Sequence, residues 1–331
     1  MPESQVAQVV RRFKSLLLDR EAASMWQMAV RWRMVERTIE GHIDALATEI
    51  AQRQAQGGKV TPWHVQRMER YHRLQAQVRD ELRRFQADAE AQIIANQRDY
   101  AELGIEAAYE AIRVGKAGVS FDRLPVSAVE TMTGLAGDGS PLFSVLQKRA
   151  VTPEAVAGLT DSLVDAIAMG WNPRKTAVAM KDGLAQGLNK ALVIARTEQL
   201  RSYRMANVAQ FRESGVVRGF RRLTTKDSRT CLACLMSDGE TFALAEELTD
   251  HPNGRCVAVP VLAGEERPDW LQGRDWFESL PEDMQRQMMG DAKYESWQRD
   301  GWDLSALRKT AHSDVWGDSP RVATLEELQT A

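Results

Sequence analysis

Apolar residues recur at Val35, Ile39, Ile43, Leu46 and Ile50, in steps of four, four, three and four. An α-helix turns once in about 3.6 residues, so this spacing lines the side chains along one stripe that has to be covered. Gly57 and Gly58 interrupt the pattern, and Thr61 and Pro62 then suit an N-cap and a first helical position. A second stripe follows at Met68, Tyr71, Val78, Leu82 and Phe85, with Gln75 in its one polar slot. Two such stripes separated by a break predict a helical hairpin over residues 1–112. Each arm runs to roughly 40 residues, or about 60 Å at 1.5 Å per residue. Its outer faces are rich in Gln, Arg and Glu, as expected of a projecting arm or an assembly surface.

Downstream the texture changes. Residues 113–172 alternate Gly, Ser and Pro with short apolar runs, which predicts a loop-rich connecting region. Asn172 and Pro173 form another cap and first-turn pair, opening a helix that ends near residue 214. Residues 218–223 and 257–262 are β-prone enough to be strands, and they bracket the cysteine segment of a domain over residues 173–262. A mostly acidic, helical-looking extension over residues 263–331 holds five of the nine tryptophans. The expected class is therefore α+β and predominantly α. Apolar residues at 44% and charged residues at 27% exclude wholesale disorder. No run reaches the 18 or so apolar residues of a membrane span, and the N-terminal apolar run is too short for a secretion signal. A soluble protein made in a cytoplasm, with no membrane and no small-molecule substrate as partner, is expected.

All three cysteines fall between the predicted strands. Cys231 and Cys234 are separated by two residues, so one tight turn aims both sulfurs at a point; His251 and Cys256 follow, with Pro252, Asn253 and Gly254 making a second turn. Cys3His is a structural zinc set, with Zn–S about 2.3 Å and Zn–N about 2.0 to 2.1 Å. One zinc per chain, held by Cys231, Cys234, His251 and Cys256, would staple a loop with little core of its own. A closed set of four leaves no position for water, which makes the metal structural. Free buried cysteines are the competing reading; a disulfide framework is disfavoured by the odd count and a reducing compartment. The deaminase pattern needs His-x-Glu and Pro-Cys-x-x-Cys, which these residues lack.

These segments carry a resemblance. The runs IARTEQLRSYRMANVAQF, TTKDSRTCLACLMSDGETF and HPNGRC resemble the phage Mu F-like family of minor head, or head-morphogenesis, proteins. Arg196, Thr197, Glu198, Thr224, Asp227, Cys231, Cys234, Asp238, Gly239, His251, Pro252, Asn253, Arg255 and Cys256 fall on its pattern. GDGSPLFSVLQKR is similar to what precedes that domain, and DWFESLPEDMQRQMMG with the later VWGDSP is similar to a C-terminal extension in such proteins. Gly254 departs from the pattern, standing where the family has a cysteine, so the fourth ligand falls to Cys256 or to Asp227. The resemblance implies a virion component inside the phage head, with portal and capsid proteins as partners, aiding capsid assembly and DNA packaging or delivery. It implies no reaction of its own.

Charge is unevenly spread. Residues 196–230 carry nine Lys/Arg against three Asp/Glu, and residues 261–331 carry eight against fifteen. Arg204, Arg212, Arg218, Arg221, Arg222, Lys226 and Arg229 are candidates for phosphate contacts with double-stranded DNA, which bind without reading sequence; packing against acidic partners explains the same charges. Glu198 shares a helix stripe with apolar neighbours and needs a partner, for which Arg201 and Arg196 are placed to form a structural ion pair. The alternative function class is a zinc-dependent enzyme or effector carried in the phage head, with an open metal position and a cleft containing Glu198. A stand-alone zinc-finger regulator is disfavoured because no recognition helix is evident between the ligand pairs.

Overall fold

The computed structural model describes residues 4–57, 60–116, 118–125, 127, 130, 133–150, 173–262 and 270–329. Of the loop-rich region expected over 113–172, the stretch 151–172 lies outside the described residues, and the described part sets turns around one short helix. Helices predominate: α1 (Gln5–Ala55), α2 (Pro62–Gln66), α3 (Glu69–Gly115), α4 (Leu142–Arg149) and α5 (Pro173–Glu213) precede the first strand. No helix among the described residues is long and apolar enough to cross a membrane. The chain divides into two compact units, one of Ala22–Ile94 and Ser140–Arg196, the other of Met1–Glu21, Ala95–Gly139 and Thr197–Ala331.

In the first of these, the expected stripes are what packs. Val35, Ile39, Ile43, Leu46 and Ile50 of α1 are buried, as are Met68, Tyr71, Val78, Leu82 and Phe85. Leu74 occupies the buried position between Tyr71 and Val78, and Gln75 lies beside it, donating to the Tyr71 hydroxyl at 2.9 Å. The helices run antiparallel. Gln92 donates to the Ser24 carbonyl at 2.9 Å, the rings of Trp32 and Phe85 meet edge to face at 4.6 Å, and Arg70 pairs with Glu49. Pairs of higher number on one helix with lower number on the other are the signature of a hairpin. Thr61 caps α2 at the turn, with its hydroxyl 2.7 Å from His64 Nδ1.

The second unit carries the sheet. Strands β1 (Gly219–Leu223), β2 (Thr241–Ala243) and β3 (Val257–Val261) form an antiparallel sheet in the order β2-β1-β3. Its register pairs Gly219 with Val261 and Leu223 with Val257. Phe220, Leu223, Val257 and Val259 join a core with Phe13 and Leu17 of α1, Ala107 and Ala111 of α3, and Tyr203 and Phe211 of α5. Helices α3 and α5 approach closely because residue 104 is glycine: a Cβ there would sit 2.4 Å from the Tyr203 carbonyl oxygen. Asn207 uses the same proximity, donating to the Gly104 carbonyl at 3.0 Å.

The remainder consists of α6 (Leu232–Met236), α7 (Gly273–Glu278), α8 (Glu282–Met289), α9 (Asp291–Asp300), a 3-10 turn (Leu304–Leu307), strands β4 (Arg308–Ser313) and β5 (Gly317–Val322), and α10 (Leu325–Gln329). The expected helices of the tail are present, and a two-stranded antiparallel sheet accompanies them. A second cluster packs Phe277, Met289, Tyr294, Leu304 and Leu307 of this tail against Leu232 and Leu235 of α6. The tail thus covers the short helix that carries Cys234.

Candidate metal centre

Strand pairing assembles the site. Because Leu223 pairs with Val257, the loop leaving β1 and the loop entering β3 start side by side. The first delivers Cys231 at the N-cap of α6 and Cys234 within its first turn. The second delivers Asp250, His251 and Cys256 through a turn closed by the Gly254 N–H to the His251 carbonyl at 2.8 Å, with Asn253 at φ 65°. Asp227 and Arg255 lock the two loops together, the guanidinium binding both carboxylate oxygens at 2.8 and 2.7 Å. That pair holds the Asp227 carboxyl well below the usual carboxylate range, against the opposing pull of burial. Asp227 is therefore committed to Arg255.

Two groups of ligand-type atoms result, each with every member within 4.8 Å of the others: Cys231, Cys234 and His251, and Cys234, Asp250 and Cys256. They share Cys234. His251 Nδ1 lies 2.8 Å from the Pro252 carbonyl. A carbonyl only accepts, so Nδ1 carries a proton, and Nε2 is left as the ring's other nitrogen, buried and without a hydrogen-bond partner. Metal-bound histidines are commonly oriented in this way, by a backbone carbonyl on the second ring nitrogen. The donor set and the orphaned nitrogen fit a thiophilic cation such as zinc.

The bare side chains show the same tension. Cys231 is pulled down to about 4, chiefly by a hydrogen bond from Cys234, with His251 adding to it and burial opposing. Cys234 is correspondingly pushed up, because it is the proton donor between Cys231 and Cys256. Cys256 is lowered by Cys234, burial opposing, with Arg222 assisting. Burial alone would lower His251, but the Cys231 sulfur and the Asp250 carboxylate raise it to about 9. The thiols, the Asp250 carboxylate and the His251 ring are thus crowded into one buried volume beside Arg204 and Arg222, where each shifts the other's protonation.

Other residues of the sequence pattern act as struts. Asp238 accepts from the Thr224 N–H at 2.7 Å and from Trp270 Nε1 at 3.1 Å, and pairs with Lys226 at 2.8 Å. The Asn253 N–H donates to the Thr197 hydroxyl at 3.1 Å, tying the second loop to α5. Glu198, whose side chain is 0% exposed, receives Arg201 Nε at 2.9 Å, Trp316 Nε1 at 2.7 Å and the Gly137 N–H at 3.2 Å. Arg196 is half-buried.

The basic set separates by burial. Arg204, Arg221 and Arg222 are buried. Arg204 and Arg222 face Asp250 at 3.8 and 3.7 Å, Arg204 donates to the Gly254 carbonyl, and Arg222 donates to the Thr249 carbonyl at 2.7 Å. Arg212, Arg218 and Arg229 are exposed, Arg212 donating to the Leu244 and Glu246 carbonyls. Lys226, on Asp238, has a side chain only 9% exposed. A charge count along the sequence does not separate these groups; the acidic loop that closes over two of them does.

Residues 157–259 match the family described as Phage Mu protein F like protein. Over that stretch, about a third of its length, the chain is similar to the phage Mu F-like family. The match takes in α5, the cysteines and most of the three-stranded sheet, while the helices before residue 157 and the tail lie beyond it. No curated protein and no solved structure matches the chain.

Proposed function

We propose that this protein is a minor head component of a phage virion, acting in head morphogenesis through contacts with capsid and portal proteins. The Mu F-like match over residues 157–259 carries this reading. Residues 1–112 are suited to docking on such partners, since α1 and α3 are long helices with polar outer faces. The role is structural rather than enzymatic. Glu198, the carboxylate that an acid–base reaction would need, is saturated by three donors and closed off from solvent.

Within the domain, Cys231, Cys234, His251 and Cys256 are the proposed ligands of a structural zinc. Zinc supplies a fixed tetrahedral cross-link and no redox chemistry. The chain's own part is to orient His251 through Pro252, to hold the loops through Asp227 and Arg255, and to exclude water with α6 and the tail. Exposed Arg212, Arg218 and Arg229 are the members of the basic set suited to touching the DNA backbone. The test is co-expression with the cognate portal and capsid proteins followed by isolation of portal rings and heads. Stoichiometric recovery of this chain with either supports the proposal; recovery of portal rings and filled heads at normal yield without it overturns the proposal.

A further inference from the structure

Asp250 belongs to neither the expected ligand set nor the expected ion pairs, yet its side chain is fully buried inside the cysteine cluster. Oδ1 lies 3.6 Å from Cys234 Sγ and 3.9 Å from His251 Nε2. Two ligands on a tetrahedral zinc, one at a Zn–S distance of about 2.3 Å and one at a Zn–O distance of about 2.1 Å, stand about 3.6 Å apart. The carboxylate is held there by the N–H groups of His251, at 3.0 Å to Oδ1, and of Cys256, at 3.2 Å to Oδ2, each oxygen keeping a further lone pair. Space for it exists because residue 254 is glycine. A Cβ on Gly254 would fall 2.1 Å from Asp250 Cγ and 2.2 and 2.4 Å from its two oxygens, so the direction a side chain would take from 254 is the volume the carboxylate fills.

We infer that Asp250, rather than Cys256, is the fourth metal ligand of this chain, its carboxylate joining Cys231, Cys234 and His251 through the gap that Gly254 leaves. This rests on the zinc reading given above. Charge balance favours it. Thiolates and a carboxylate around one divalent cation leave excess negative charge in the interior, and Arg204 and Arg222, both buried and both facing Asp250, supply compensating positive charge. On binding, the Cys234 thiol proton leaves to solvent, and the Cys234 sulfur and Asp250 Oδ1, 3.6 Å apart, each donate a lone pair to the ion, with no change of oxidation state.

The experiment uses the full chain, refolded with zinc or with cobalt(II) as a spectroscopic probe, in wild type, Asp250→Ala and Asp250→Ala/Gly254→Cys. In the double variant a thiol projects into the vacated volume. Expected results are about one zinc in wild type, at least tenfold weaker zinc binding in Asp250→Ala, and recovery in the double variant. That recovery should bring a stronger sulfur-to-cobalt charge-transfer band than in wild type. Equal zinc affinity in wild type and Asp250→Ala overturns the inference while leaving the zinc reading intact. Loss of zinc in Asp250→Ala without recovery in the double variant overturns it too, since Asp250 would then only brace the loop. A wild type that takes up no zinc fails the earlier reading instead.

Discussion

Trp316 reaches across 118 residues of sequence to donate its indole N–H to Glu198, and removing that one donor is an informative perturbation. Trp316→Phe keeps part of the ring system and deletes the 2.7 Å hydrogen bond, leaving the buried carboxylate with Arg201 and Gly137. Hydrogen bonds to charged groups contribute about 1.5 to 3 kcal/mol. Because Glu198 is 0% exposed, water does not replace the lost donor. Amide hydrogen exchange resolves the effect locally: that energy corresponds to roughly 10- to 150-fold faster exchange in the Glu198 region of α5 and in β4–β5, if opening of this unit limits exchange. A cycle with Glu198→Gln separates the bond from the ring. In the Gln background the carboxylate is gone and Trp316→Phe should cost at most about 1 kcal/mol. Exchange unchanged in the single variant, or an equal effect in both backgrounds, would refute the idea that the tail is anchored through Glu198.

Further predictions concern packing, pH and nucleic acid. Gly104→Ala should destabilise by about 1 to 3 kcal/mol, because its Cβ meets the Tyr203 carbonyl at 2.4 Å, whereas Gly41→Ala, with nothing within 4 Å inside α1, should stabilise by about 0.5 to 1 kcal/mol; thermal unfolding midpoints moving in the same direction for both would contradict this. Burial lowers Lys14 from 10.5 to about 7, so between those values the unfolded chain holds a proton the folded chain has released, and stability rises with pH across that window. Lys14→Met should abolish this rise, read as urea midpoints at about pH 6.5 and about pH 9.5, on either side of most of that window; an identical pH dependence in both proteins removes Lys14 as its source. Reversing exposed Arg218 and Arg229 should lower the slope of log binding constant against log salt for duplex DNA by about 0.9 for each phosphate no longer neutralised, and an unchanged slope would discard both as phosphate-binding residues.

How far the fold is legible in the sequence depends on the range of the interactions. Val35 to Ile50 and Met68 to Phe85 announce their helices because burial repeats every turn, although Leu74 beside Gln75 shows how one polar residue disguises the register. Strands β1 and β3 are legible as apolar or β-prone runs. The β4–β5 hairpin is not, since RKTAHS and GDSPRV lack the alternation of apolar and polar residues that marks a half-buried strand; Gly317, at φ 68°, is the one local signal. Spacing draws attention to the cysteines and His251, and the structure brings them into the two overlapping groups. Asp250 has no such signal, because a lone aspartate has no diagnostic spacing. Its only trace is the glycine at 254, whose meaning depends on a contact across the turn. Arg204 and Arg222 read as surface charge in the sequence because the acidic loop that closes over them lies some 30 to 50 residues away.

The most direct test of the metal centre is elemental analysis of the purified full-length protein alongside its Cys231→Ser/Cys234→Ser variant. Tetrahedral closure by this donor set predicts about one zinc per chain in the wild type and none in the variant. A wild type that folds to the same helical content without bound metal, or a variant that keeps its zinc, would contradict the account.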